Sequence, residues 1–230
     1  MASMTTTAAI ADAGISRGED GRPDYGTRLR RARLGLLVAL TPILMLFVSF
    51  TSAYVVRQGL PTLDPRTNNL IRDWIPVALP RLLLLNTFVL LVSSLSMELA
   101  RRQLQSQVAH ANSSPVAGDT LASKIRMPWL AATLVLGFAF LFGQWTAWQQ
   151  LAANGFYVAT TPSSSFVYLL TGAHAAHLLG GVLALIVAGI ASLLHRSLKT
   201  RSIVVDVTAW YWHFMAVLWI YIFCLMKFVR

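Results

Sequence analysis

Cysteine and acidic residues are scarce in this chain. Among its 230 residues there is one cysteine, Cys224, so no disulfide can form within the chain, and no CxxC or CxxCH pair exists for covalent haem or a thiolate cluster. Only nine residues are Asp or Glu, and none lies deep in a long apolar run. This scarcity excludes a di-iron carboxylate bundle. It also argues that the chain does not conduct protons by itself, because a membrane proton relay usually needs an ionisable group in mid-membrane.

Charge is sparse overall, and apolar residues dominate. Hydrophobic residues make up 56% of the chain and charged residues 12%, about half the share of a soluble domain. The formal net charge is +10, which could indicate nucleic acid binding. The Lys and Arg residues, however, form short clusters between apolar runs, which is the pattern of a membrane protein. We therefore expect no nucleic acid partner.

Five apolar runs are long enough to cross a membrane, since a span needs about 20 residues. They cover residues 34–56, about 75–97, about 127–148, 165–194 and about 203–228. The sequence thus predicts an all-α, polytopic membrane helix bundle over residues 34–230. Residues 1–33 are predicted to be a basic arm without a cleaved signal, disordered up to about Tyr25, and residues 99–126 a polar loop.

The basic residues predict the orientation of this bundle. The arm holds six Lys or Arg, the loop after the second run four, and the loop after the fourth run three, against six on the other side. Because cytoplasmic loops carry the excess of Lys and Arg, we expect a cytoplasmic N-terminus and, with five spans, a C-terminus outside.

The fourth run contains the stretch FVYLLTGAHAAHLLGG at residues 166–181, which combines polar and small residues. Gly172, Ala176 and Gly180 recur at a spacing of four, which keeps them on one helix face, where small residues let a second helix approach closely. The same stretch carries Thr171, His174 and His177. It is therefore either a metal site or a helix that packs against a partner.

Histidine depth separates these two interpretations. A bis-His haem needs imidazoles from two helices at a common depth, here His177 or His174 with His213 of the fifth run. Counted from the predicted cytoplasmic ends, His177 and His213 differ in depth by about 10 Å. We therefore expect no shared metal, and we expect each imidazole to hydrogen-bond a neighbouring helix, a chain carbonyl or a lipid phosphate. A haem b anchor subunit of a dehydrogenase remains an alternative.

Polar residues in the other runs fit helix packing too. Asn86, Thr87 and Gln144 can hydrogen-bond between helices. A small transporter is a further alternative, although the broken helices with paired Gly or Pro that would support it are not evident. We predict no catalytic or metal-binding residue. The residues that we expect to contact lipid or pack helices are Tyr54, Asn86, Thr87, Gln144, Thr171, Gly172, His174, His177, Gly180, Gly181, Trp212 and His213.

Five motifs in order resemble subunit III of the haem–copper oxidases of the cytochrome c oxidase type. Its TGxHxxHxxxG helix is matched by Thr171, Gly172, His174, His177 and Gly181, and its WHFVDxxW helix by Trp212–Trp219. Weaker matches are SAYxxxR at residues 52–57, LPxxNTxxLLxSS at residues 79–94, and an FLxxQ-type segment at residues 140–144. The resemblance runs from about Arg33 to the C-terminus.

The resemblance implies a cofactor-free accessory core subunit of a respiratory oxidase, in its short, five-helix form. Such a subunit packs directly beside subunit I, with subunit II in the same complex, in the cell (inner) membrane. It binds phospholipid and helps to sustain proton uptake, while the haems and copper lie in the partner subunits. Three positions where the family has acids are Ile43, Ala147 and Ala216 here, so the roles of those acids do not transfer.

Overall fold

A computed structural model describes residues 25–63, 69–71, 74, 80–113, 128–193 and 197–228. Within these residues five long helices form: α1 (Tyr25–Gly59), α2 (Leu82–Ser113), α3 (Pro128–Ala153), α4 (Pro162–Leu193) and α5 (Leu198–Phe228). All five are long and apolar enough to cross a membrane. The predicted helix bundle is confirmed, and the chain is an integral, multi-pass membrane protein. A two-residue antiparallel strand pair, Thr62–Leu63 with Leu70–Ile71, follows α1.

Helix α5 lies at the centre of the bundle. It packs against α2, α4 and α1, while α3 joins α2 to α4 on the other side. Half of the apolar stretch of α5 is buried, and its core residues include Trp212, Met215 and Trp219, all without exposed surface. Helix α1 is the least buried, and only Leu40, Phe47 and Tyr54 of its side chains enter the core. The bundle is therefore organised around α5, with α1 added along one side.

Helix α2 differs most from the sequence prediction. It continues to Ser113, so residues 99–113, predicted as part of a polar loop, are helical, and the remaining loop residues 114–127 lie outside the described part of the chain. The helix continues because Ala100, Leu104 and Val108, spaced four apart, are buried on one face. Its start also differs: Pro80 and Arg81 precede the helix, and residues 75–79 of the predicted span lie outside the described residues.

Helix α1 starts earlier than predicted, and α4 starts with a capping motif. Helix α1 begins at Tyr25, so residues 25–33 of the predicted arm are helical, and residues 1–24 lie outside the described residues. At α4, Thr161 and Ser164 cap the helix reciprocally: the Ser164 backbone N–H donates to Thr161 Oγ1 over 3.2 Å and the Thr161 N–H donates to Ser164 Oγ over 3.1 Å. Pro162 at the first helical position fits the same start.

Candidate functional site

Asp206 is the centre of a cluster of charges at one end of the bundle, which we call the basic end: Arg33, Glu98, Arg101, Arg102 and Asp206. The Asp206 carboxylate is 1% exposed and accepts two bonds of 2.8 Å from Nε and Nη2 of the Arg33 guanidinium. Arg101 Nη1 lies 3.3 Å and Gln105 Nε2 3.1 Å from Oδ1. A buried carboxylate is stable only when paired and hydrogen-bonded in this way. The cluster therefore joins α1, α2 and α5.

Glu98 extends the cluster towards His213. Its carboxylate accepts bonds from Arg101 over 2.8 and 2.9 Å and from Arg102 over 2.7 Å. His213 Nε2 lies 3.4 Å from Glu98 Oε2, and His213 Nδ1 lies 2.6 Å from Ser94 Oγ. The imidazole is one-third exposed. An acid, an imidazole and a hydroxyl thus form a continuous hydrogen-bonded chain at the basic end.

His177 and His213 lie at more similar depths in the bundle than the sequence predicted. Trp212 packs beside Gly181, and Trp219 lies 5.1 Å from His174 between ring centroids, so the two antiparallel helices have a consistent register. In that register His177 and His213 differ by three residues, or about 5 Å, so the predicted depth difference of about 10 Å is wrong. The error arose because α5 begins at Leu198, five residues before the predicted span.

His177 and His213 nevertheless face different helices. The His177 ring lies 5.9 Å from the Phe47 ring of α1 and its Nδ1 lies 2.7 Å from the Ala173 carbonyl, whereas His213 contacts α2. Among the described residues no three His, Cys, Asp or Glu side chains group to hold a metal ion. The predicted imidazole hydrogen bonds are thus present at His177 and His213. They are missing at His174, whose buried ring nitrogens have no hydrogen-bond partner within the described chain.

Three tryptophans fasten neighbouring helices through the same kind of bond. Each indole Nε1–H donates to a hydroxyl on another helix: Trp148 to Thr171 over 3.0 Å, Trp219 to Thr87 over 3.0 Å, and Trp212 to Ser93 over 3.2 Å. Interhelical hydrogen bonds in membranes contribute about 0.6 kcal/mol each on average. The bonds specify which helix faces meet, and they give the predicted packing residues Thr87, Thr171 and Trp212 defined partners.

Asn86 and Gln144 lie at the contact between α2 and α3. Asn86 Nδ2 donates to the Phe140 carbonyl over 3.1 Å, and this amide is buried. A Cβ built on Gly143 would overlap Asn86 Oδ1, so the asparagine approaches α3 only because residue 143 is glycine. Gln144, which follows Gly143 on α3, is also buried. Its Oε1 has no hydrogen-bond partner in the described chain. The sequence did not identify Gly143 as a packing residue, because the asparagine that it accommodates lies on another helix.

The glycines of α4 divide into two groups. A Cβ on Gly181 would meet Trp212 at 3.2 Å and Tyr211 at 3.0 Å, so this glycine permits close packing of α4 on α5. Gly172 has nothing within 4 Å, and Gly180 meets only Tyr211 Oη at 3.6 Å. Gly180 and Ala176 are exposed. The small stripe therefore faces away from this chain, and the glycines that admit α5 are Gly181 and, on α3, Gly137.

Tyr54 and the three positions that lack an acid complete the set of predicted residues. Tyr54 is buried, and its ring meets Trp74 at 5.1 Å and Phe166 at 5.7 Å, which ties α1 to α4. Ala147 and Ala216 are buried in the core. Ile43 packs against it. Apolar side chains thus occupy these three positions inside or against the core.

Comparison with known proteins agrees with this architecture. A family model described as cytochrome c oxidase subunit III matches residues 26–229, which include all five helices. A probable cytochrome c oxidase subunit 3 of Mycobacterium leprae is 29% identical over 102 residues, 44% of this chain and 50% of the relative. The subunit 3 of Corynebacterium diphtheriae is 31% identical over a stretch of the same coverage.

A plant relative aligns over more of the chain. Cytochrome c oxidase subunit 3 of Triticum aestivum is 28% identical over 198 residues, which are 83% of this chain and 66% of the relative. The chain spans about half the length of the first two curated relatives, and the family model spans nearly the whole chain. With the helices in the order and contacts described above, this chain belongs to the cytochrome c oxidase subunit III family.

Proposed function

We propose that this chain is a cofactor-free accessory core subunit of a respiratory haem–copper oxidase in the cell (inner) membrane. It packs directly against subunit I, and subunit II belongs to the same complex. The haems and copper lie in these partner subunits. That complex transfers electrons from cytochrome c or quinol to oxygen, forms water and pumps protons. The observation that carries the proposal is the family match over all five helices. It favours this function over a haem b anchor subunit or a small transporter.

The outer face of α4 is the surface that we expect to dock on subunit I. Gly172, Ala176 and Gly180 lie there at a spacing of four. A Cβ would meet nothing within 4 Å at Gly172 and only Tyr211 Oη, at 3.6 Å, at Gly180. Membrane helices associate through such small-residue faces, because they allow close backbone contact. We assign this face to a helix of subunit I.

A supporting role in proton uptake is consistent with the basic end. His213, Glu98 and Asp206 lie together there, and the His213 ring is partly exposed. His213 is 33% exposed, against 18% for Glu98 and 1% for Asp206, so proton exchange with water would take place at its imidazole. Among the described residues, no series of bonded ionisable groups leads from this cluster across the bundle. The protons would therefore enter a path in a partner subunit.

Phospholipid binding is supported by cations beside an apolar helix face. Arg33 is 40% exposed although it is bound to Asp206, and Arg102 is 74% exposed. Leu37, Val38 and Met45 of α1 are exposed and apolar. A guanidinium can bind a phosphate oxygen while acyl chains cover the apolar face. We assign the bound phospholipid to this side of the bundle.

Affinity purification of the tagged chain from its native membrane tests the proposal. We expect haem-containing subunit I and subunit II to copurify with the wild-type chain in a mild detergent. A wild-type chain that purifies without any haem protein would contradict the oxidase function.

Gly180→Leu tests the docking face separately. Within this chain a Cβ at residue 180 would meet only Tyr211 Oη, at an ordinary contact distance of 3.6 Å. A leucine there would block a close helix contact, so we expect at least a fivefold loss of copurifying haem with unchanged yield of the folded chain. The matched control is Val135→Leu, which adds bulk at an exposed position of α3 and should leave copurification unchanged. Equal amounts of copurifying haem in both variants would show that this face of α4 is not the docking surface, and would leave the proposed oxidase function unaffected.

A further inference from the structure

An aromatic cavity of about 520 Å³ lies at the opposite end of the bundle from the charge cluster. Its walls come from the last turns of α3, the first turns of α4 and the segment between these helices. Trp145, Trp148, Tyr157 and Tyr168 line it together with the amide of Gln149. The volume lies in the range of small-ligand sites. Trp148 also forms the packing bond to Thr171 described above, but none of the proposed functions uses this cavity.

The polar atoms of the two inner rings are already engaged. Trp148 Nε1 donates to Thr171 Oγ1 over 3.0 Å, and Tyr168 Oη donates to the carbonyl of Phe156 over 3.0 Å. These bonds fix both rings, which lie 6.4 Å apart between centroids at an interplanar angle of 40°. What the two rings offer a ligand is therefore their π surface, not a hydrogen bond.

The outer rings complete the wall and leave the cavity accessible. The Trp145 centroid lies 6.4 Å from that of Trp148 at 64°, and the Trp145 side chain is 57% exposed. Tyr157 is 61% exposed on the segment that joins the helices. A headgroup-sized ligand can thus reach the inner rings without any movement of the helices.

The chemistry of the wall selects a particular kind of ligand. Among its described residues the wall holds no charged side chain, and Gln149 supplies its one side-chain amide. The negative faces of aromatic rings attract organic cations. A primary ammonium brings three N–H donors that would need acceptors, whereas a quaternary ammonium brings none. We propose that this cavity is a binding site for a trimethylammonium group of the choline class.

Two sources of that group fit the cavity, a choline phospholipid and free choline. The Gln149 amide N–H can donate to a phosphate oxygen of the lipid or to the hydroxyl oxygen of free choline, so the two sources are distinguished by their measured affinities. The site lies wholly within this chain, so it does not depend on the proposed docking to subunit I.

Saturation-transfer NMR on the purified chain in a maltoside detergent tests the site. The probes are dihexanoyl phosphatidylcholine, dihexanoyl phosphatidylethanolamine and choline chloride. We expect transfer from aromatic protons to the choline methyls, and tighter binding of the choline lipid than of the ethanolamine lipid by about 3- to 30-fold. Binding of choline chloride at similar strength assigns the site to the free cation, and weaker binding assigns it to the lipid.

Substitutions separate a cation site from an ordinary aromatic membrane belt. Trp145→Leu keeps an apolar side chain but removes the ring, and should weaken choline binding by about 3- to 30-fold, whereas Trp145→Phe should retain most of it. Tyr157→Leu is the second variant on the wall. Trp129→Leu, at the other end of α3, is the control and should bind as the wild type does. Equal affinity for both lipids, or unchanged binding in both leucine variants of the wall, would overturn the proposal.

Discussion

Asp206 shows how a single side chain can determine helix arrangement. It is 1% exposed, and two arginines from different helices neutralise it. Removing one partner of a buried ion pair costs about 3–5 kcal/mol, because the remaining charge stays without compensation. At Asp206 the cost falls on Arg33 and Arg101, which are partly exposed and can turn towards water. The loss at this residue should therefore lie below that range.

Asp206→Asn should lower the free energy of unfolding by about 2–3 kcal/mol, because the amide keeps the shape but not the charge. The measurement is reversible unfolding in mixed micelles with increasing sodium dodecyl sulfate. Arg102→Gln is the control. Its guanidinium is 74% exposed and, among the described residues, bonds only to Glu98, so its replacement should change stability by less than about 1 kcal/mol. Similar losses in both variants would contradict a special role for Asp206.

Residue chemistry was partly predictable from the sequence. Hydroxyl and amide groups in apolar runs must find partners, which is why Thr87 and Thr171 were predicted to pack helices. Their partners, Trp219 and Trp148, were not predictable, because they depend on how each helix is rotated about its axis. The convergence of Arg33 and Asp206, which are 173 residues apart, was missed for the same reason.

At the scale of elements, α2 is the least expected feature. With 32 residues it is about 48 Å long, and the apolar core of a bilayer is about 30 Å thick. The sequence after Glu98 is rich in Arg and Gln, which reads as a loop by polarity alone. These residues are nevertheless good helix formers, and Ala100, Leu104 and Val108 supply a buried stripe. A count of that spacing would have extended the helix.

Leu104→Ala should destabilise the protein by about 2–4 kcal/mol, because it opens a cavity beneath a side chain that has no exposed surface. Ser106→Ala, two residues further on and exposed, should be neutral. Both variants can be compared by thermal unfolding followed by circular dichroism. A Leu104→Ala protein as stable as the wild type would show that this end of α2 contributes no packing.

For the whole molecule, the charge pattern predicts a direction in the membrane. Arg33, Arg101, Arg102 and Arg201 lie at one end of the helices, where cytoplasmic positive charge is expected. The segment between α3 and α4 has no Lys or Arg and lies at the other end. The predicted number of helices agreed with the structure because long apolar runs are the strongest signal in a membrane sequence.

Cysteine labelling in intact cells measures this direction. In a Cys224→Ser background, Asn154→Cys should react with a membrane-impermeant maleimide added outside. Lys199→Cys should react only after the cells are permeabilised. Both positions are exposed at helix ends, so access should depend on the side of the membrane alone. The reverse labelling pattern would invert the predicted topology.

Helix α1 packs against α4 and α5, which are synthesised after it with α2 and α3 in between. Tyr25 bonds Ser202 over 2.9 Å, and Arg33 bonds Asp206, so these two bonds join residues 177 and 173 positions apart in the chain. At about 5–20 residues per second, α1 waits in the membrane for roughly 7–30 s after its own synthesis before these partners are made. During biogenesis the pair α2 and α3 can form first, and α1 remains a solitary span open to membrane chaperones and proteases. Completion of α5 is thus the step that withdraws α1 from quality control.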